Sequence, residues 1–347
     1  MWDQARCRTD AHTLTVLTNM QWFYSQTWGS TLRVCEELSK RKSQEGGCAH
    51  RHEVHARQLE LIEVLRRNAV HTAVSEVRVL VGEAAPVQSF LERLPWFQRV
   101  RCKVILVETR TRPRFSDYMR QLSGPLLGRA VALTNQDVFL GDGEWASVPT
   151  VLRPQEAFFL SRYHRREQYD VQHTLAASAA EGLLNDSSTH TVPMRRDGVH
   201  VRHTRRSCDM TASRFSMWKR SLCTAANYGS FDAYVIRVVR SLQSSELALF
   251  DYPQNAWGGE NLFLFLMQTL GFMASNPCFS LQAVHMHCEL PTSFGALKVG
   301  DRRLGKREIV EQALRKLHAL GHATGISHQD VGKLRLNVTV LQLHTKG

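Results

Sequence analysis

No apolar run in the chain of 347 residues approaches the roughly 20 residues needed to cross a bilayer; stretches such as Leu262 to Met267 are short enough for a core. The N-terminus, MWDQARCRTDAHTL, lacks the apolar segment of a signal peptide. These two absences point to a soluble chain, or to one whose N-terminal anchor is not part of this sequence. The eight cysteines (Cys7, Cys35, Cys48, Cys102, Cys208, Cys223, Cys278, Cys288) include no C-x-x-C pair, which argues against a zinc ribbon. There is no G-x-G-x-x-G, Walker loop or G-x-S-x-G elbow, so nothing marks a dinucleotide enzyme, an NTPase or an α/β-hydrolase. Internal repeats and low-complexity tracts are also missing.

The composition that remains is globular: 43% hydrophobic and 22% charged, in a length that holds one large α/β domain or two ordinary ones. The net charge of +12 is carried mostly by arginine, whose fork suits phosphates and carboxylates. The basic groups are scattered (Arg110/Arg112/Arg114, Arg162/Arg165/Arg166, Arg195/Arg196, Arg202/Arg205/Arg206), which argues against a dedicated nucleic-acid surface and is met equally by a solvated basic exterior. Cys208/Cys223 and Cys278/Cys288 are spaced to bridge short loops in an oxidising lumen, or to remain buried thiols. Asn185 and Asn337 head glycosylation sequons.

Hydrophobic periodicity alternates strand and helix. A strand is expected over Leu14 to Thr18, and then a helix over Ala56 to Thr72 with Leu59, Ile62, Leu65 and Ala69 on one face. Strands at 76–83 and 100–108 flank a short helix after Pro86; a helix at 116–122 leads to a strand within 128–144, closed by Gly141-Asp-Gly143. Residues 170–212, rich in Ser, Thr, Asn, Asp and Arg, read as a surface loop or lid. A strand at 229–239, a helix at 258–272 and a strand at 276–289 follow, then a helix at 306–320 and a strand at 334–343. This succession predicts an α/β fold with a mostly parallel central sheet and helices on both faces, whose ligand lies beyond the carboxyl ends of the strands.

Several polar residues fall near those ends. In ALTNQDVFL, Asn135 and Asp137 share a face if the segment is extended, and a carboxylate there suits Mg²⁺ or Mn²⁺; the same pair also suits a turn. His285 and His287 alternate with Phe279, Leu281 and Ala283 along one strand face, as metal or phosphate ligands or as structural histidines. Asp232 follows Gly229-Ser230, and Glu260 opens a helix after Gly258-Gly259; either could take a proton from an attacking hydroxyl, and each also suits its local cap or turn.

In order along residues 12–290, Arg57/Glu60/Asn68, Arg112 or Arg114 with Phe115 and Asp117, Asn135/Asp137, Gly229/Ser230/Asp232, Gly258/Glu260/Asn261 and Asn276/Pro277/His285/His287 resemble the motifs of a glycosyltransferase-like family of the GT-A, nucleotide-diphospho-sugar type. The resemblance implies a GT-A-like (Rossmann-like) domain over 1–290, with 291–347 a helix–strand extension of unknown role. It implies sugar transfer from a nucleotide diphosphate donor to an acceptor hydroxyl of a glycan, protein or lipid, assisted by Mn²⁺ or Mg²⁺ at Asp137, His285 and His287. Arg112, Arg114, Asn135, Ser230 and Asn261 would hold the nucleotide-sugar, Asp232 and Glu260 would be catalytic, and the location would be the Golgi or secretory lumen. Asn135 stands where the commoner D-x-D form has its first aspartate, and Leu262 where the family has arginine. The alternatives are a binding module of the same fold whose site has decayed, or a basic nucleic-acid-associated protein.

Overall fold

β-branched and aliphatic residues dominate the segments that become the central strands, whose two faces alternate between two separate apolar cores. In the computed structural model, which describes residues 13–22, 45–109, 113–164, 223, 231–254, 259–286, 306–322, 327–332, 334 and 336, β1 is Leu14–Asn19, β2 Val74–Val81, β3 Val104–Glu108 and β4 Ala130–Thr134. They are followed by β5 (Val138–Gly143), β6 (Glu156–His164), β7 (Phe231–Ile236), β8 (Met273–Ser275) and β9 (Leu281–His285). The strand order is β3-β2-β1-β4-β7-β6-β9-β5, with β8 paired to β6 off this path. β1, β2, β3 and β4 pair in parallel, as do β6 with β8 and β9; β7 runs antiparallel to both neighbours, and β5 antiparallel to β9. The sheet is therefore mixed and mostly parallel. β4 and β5 stand far apart in its order yet are only three residues apart in sequence, which requires the sheet to curl.

Period-2 alternation sends Leu17, Val131, Leu133 and Ile236 to one core, and Leu14, Val16, Ala130, Ala132, Ala233 and Val235 to the other. The second core is closed by α1 (Glu45–Val70), α2 (Ala84–Leu91) and α3 (Pro95–Val100). The first is closed by α4 (Phe115–Leu122), with α5 (Val148–Val151) intervening in sequence before α6 (Ser244–Leu249) and α7 (Gly259–Thr269). Helices thus cover both faces, as the sequence pattern predicts. Beyond residue 290, α8 (Lys306–Ala319) and α9 (His328–Gly332) add Ile309, Val310, Ala313, Leu317 and Val331 to the core that holds α7. An aromatic cluster centres on Phe263, whose ring lies 4.7 Å from that of Phe115 and 4.8 Å from that of Tyr234.

Three sequence expectations change. The segment 128–144 is not one strand: Asn135, Gln136 and Asp137 form a turn between β4 and β5, so Asn135 and Asp137 do not share an extended face. Gly141-Asp-Gly143 does close β5, but as its last three strand residues rather than as a turn after it. The register against β9 slips between Leu140 and Gly143, and Gly143 has φ +138°, where an added Cβ would lie 2.3 Å from the Ser280 carbonyl oxygen. The strand expected over 276–289 begins only at Leu281, which leaves Phe279 outside it and largely exposed. Cysteine pairing differs as well, since Cys223 bonds Cys278 rather than Cys208, and Cys278 does not bond Cys288. This bridge fastens the approach to β7 to the β8–β9 connection across a sequence separation of 55 residues, and loop-closure entropy puts its contribution at about 4 kcal/mol. The loop or lid expected at 170–212, the sequons at Asn185 and Asn337, and most of the last expected strand lie outside the described residues.

Candidate active site

The chain reverses its direction of winding between β1 and β4, and ligands of open α/β sheets sit outside the carboxyl ends at such a switch. Those ends carry Asn19 on β1, Asn135 after β4, Arg162 on β6 and His285 on β9, and the antiparallel β7 brings Asp232 to the same edge. The crevice mouth is laced locally: Thr18 Oγ1 donates to the Thr134 carbonyl at 3.2 Å, and the Gln21 amide to Gln136 Oε1 at 3.0 Å. Asn19 Oδ1 is buried there with no hydrogen-bond partner among the described residues. Residue-by-residue motif reading overlooked Asn19; its place at the end of the first strand was the available signal.

Two polar clusters diverge from the Asn135–Asp137 turn. In the first, Tyr118 donates its hydroxyl to Gln254 Oε1 (2.7 Å), Gln254 donates to Asn135 Oδ1 (2.7 Å), and Asn135 donates to Asp232 Oδ1 (3.0 Å). Arg162 Nη1 donates to the other Asp232 oxygen at 2.9 Å. Burial pushes the Tyr118 phenol well above its ordinary value, so its proton stays available to start this chain. Both oxygens of Asp232 face donors, which suits it to orienting and to supplying negative charge. Tyr118, Gln254 and Arg162 are contributions that motif reading did not assign to the site. Gln254 had no sequence signal, since a lone glutamine in a loop carries no pattern.

Glu260, on the first turn of α7, completes this cluster by accepting the Phe231 amide at 3.1 Å. Burial, and next the negative charge of Asp232, push its carboxyl up to about 8, against the opposing pull of Arg162 and of the Phe231 N–H. A carboxyl placed there gains and loses a proton near neutral pH, the property required of a general acid or base.

The second cluster gathers around Arg57, which is only 4% exposed. Residues 57, 60, 64 and 68 recur at helical spacing and form one stripe of α1 facing β5 and β9. Arg57 Nη1 binds Glu60 Oε2 at 2.7 Å and the Met286 carbonyl at 3.3 Å, while Nη2 binds Asp137 Oδ2 at 2.5 Å. His285 Nε2 lies 3.3 Å from the same Asp137 oxygen. Burial disfavours the Arg57 charge, yet Asp137 and Glu60 outweigh that cost and raise its pKa above the ordinary value. Val64 packs with Phe139, Val284 and Met286, and the buried Asn68 clamps β5 by donating to the Val138 carbonyl and accepting from the Leu140 amide.

The structure thus brings Asn135, Asp232 and Glu260 together, and separately Asp137 and His285. Arg114 is engaged elsewhere: its guanidinium binds Asp251 at 2.9 Å, and its amide binds Asp117 at the start of α4. Asn261 turns towards α9, with its amide 3.4 Å from the Val331 carbonyl. Arg112, Ser230 and His287 lie outside the described residues.

As a seat for Mn²⁺ or Mg²⁺, the described residues do not fit. Hard divalent ions need carboxylate oxygens free to coordinate, and the Asp137 oxygen nearest His285 is already held by a buried guanidinium. Among the described residues no group of three or more His, Cys, Asp or Glu is arranged to hold a metal ion. No helix among them is long and apolar enough to cross a membrane. No protein-family model and no curated protein matches this chain significantly.

Proposed function

We propose that this protein is a glycosyltransferase of GT-A-like architecture, which moves a sugar from a nucleotide diphosphate donor to an acceptor hydroxyl. The observation that carries this reading is Glu260, raised to about 8 beside Asp232 and Arg162 at the carboxyl-end edge of the sheet. Glu260 accepts the acceptor's proton as its oxygen attacks the anomeric carbon and the bond to the diphosphate breaks. Asp232, fixed by Asn135 and Arg162, orients the acceptor and holds Glu260 basic enough for that task. Arg162 also supplies positive charge against the departing diphosphate; its Nε is buried with no partner among the described residues. Arg112 and Ser230, which lie outside the described residues, stay proposed donor contacts. The Cys223–Cys278 bond supports an oxidising compartment such as the Golgi lumen.

The ion-paired state of Asp137 favours a second reading, a sugar-nucleotide-binding module without turnover. Calorimetry with a panel of UDP- and GDP-sugars tests what the two readings share. At least one donor binds the wild type, and Arg162→Met weakens its binding at least tenfold. If no nucleotide-sugar binds the wild type, both readings fail.

A further inference from the structure

We infer that Arg57 is a built-in cation that fills the place of a divalent metal, so that this site works without one. The guanidinium lies among groups of the kinds that ligate divalent ions, which with it in place are not arranged to hold one: the Glu60 and Asp137 carboxylates, the Met286 carbonyl and, beside Asp137, the His285 imidazole. Oxygen-rich donors with one imidazole suit Mn²⁺ among the common divalent ions. A lysine or a surface arginine could swing aside to admit such an ion, but Arg57 cannot. It projects from α1, is almost wholly buried, and spans Glu60 on its own helix and Asp137 on the turn before β5. Entry of a metal would require a buried guanidinium to leave both carboxylates and find new partners, which is strongly opposed.

Arg57 also fixes the position of Asp137, and with it the turn that delivers Asn135 to Asp232. Asp137 is therefore a positioning residue and not a metal ligand. This inference rests on the geometry of the second cluster and refines the glycosyl-transfer reading by removing its cation requirement.

The test is titration of Mn²⁺ alone, followed by the electron paramagnetic resonance signal of the free ion, so its outcome does not depend on any nucleotide-sugar. Wild type leaves the Mn²⁺ signal unquenched at equimolar metal. Arg57→Gln, shown folded by circular dichroism, quenches it, and Arg57→Gln with Asp137→Asn restores it. Stoichiometric Mn²⁺ binding by the wild type that Asp137→Asn abolishes would overturn the inference. A folded Arg57→Gln variant that binds no Mn²⁺ would also overturn it, by showing that the guanidinium occupies no cation site. If that variant does not fold, the wild-type titration with Asp137→Asn decides alone.

Discussion

Asp232 and Glu260 show how two carboxyl groups in one cluster take different parts. Asp232 meets donors on both oxygens, whereas Glu260 receives one backbone N–H and lies in the field of its neighbour. The raised pKa has a signed consequence for stability. Unfolded glutamate loses its proton near 4.5, while the folded chain holds it up to about 8, so the folded state binds more protons between those values. Stability therefore falls as pH rises through that window, and the penalty is complete above about 8. Glu260→Gln removes it, so urea denaturation should find the variant more stable than wild type at pH 8.5 and little changed at pH 4.5. An unchanged difference between the two pH values would show that Glu260 titrates normally. Both carboxylates were legible in the sequence because each follows a glycine-marked entry into an element. The partners that set their behaviour were not, because Gln254 and Arg162 arrive from other elements and carry no local signal.

Helix α1 is the element that links fold to site. Its apolar residues Ile62, Leu65 and Ala69 follow the predicted spacing and pack beneath the sheet. The stripe formed by Arg57, Glu60, Val64 and Asn68 faces β5 and β9 instead, and all four are buried. Asn68→Ala should cost about 3 kcal/mol, since it leaves the Val138 carbonyl and the Leu140 amide without their side-chain partner in a buried position. Equilibrium urea unfolding measures this, and a loss under about 1 kcal/mol would show that β5 does not depend on the clamp. β6 and α6 carried no expectation in the sequence, but β1, β2, β4 and β7, buried on both faces, and helices such as α4, α7 and α8 were readable from period. The break at Asn135–Asp137 was not. Apolar residues continue on both sides of it, and only the curl of the sheet decides that β4 and β5 separate there.

Across the whole molecule, the alternation of strand and helix predicted a mostly parallel sheet with helices on both faces, but not its order or its antiparallel members β5 and β7. The return of β5 to the far edge beside β9 depends on contacts remote in sequence. The pairing of Cys223 with Cys278 is likewise invisible to spacing, because connectivity follows from which loops the fold brings together. The association of α8 and α9 with α7 rests on burial of Ile309, Val310 and Leu317 against a surface assembled by several other elements. At this scale the proposal is that one edge of the sheet holds a nucleotide-sugar and its acceptor, with Glu260 as the group that moves the proton.

The most direct test of that proposal is release of UDP or GDP from a panel of nucleotide-sugars, followed against pH for the wild type and Glu260→Gln. The account predicts that the wild type releases nucleoside diphosphate from at least one donor, at a rate that rises with pH through about 8, and that Glu260→Gln lowers this rate at least a hundredfold at pH 8. A donor that binds without any release, or a rate that Glu260→Gln leaves unchanged, would contradict it.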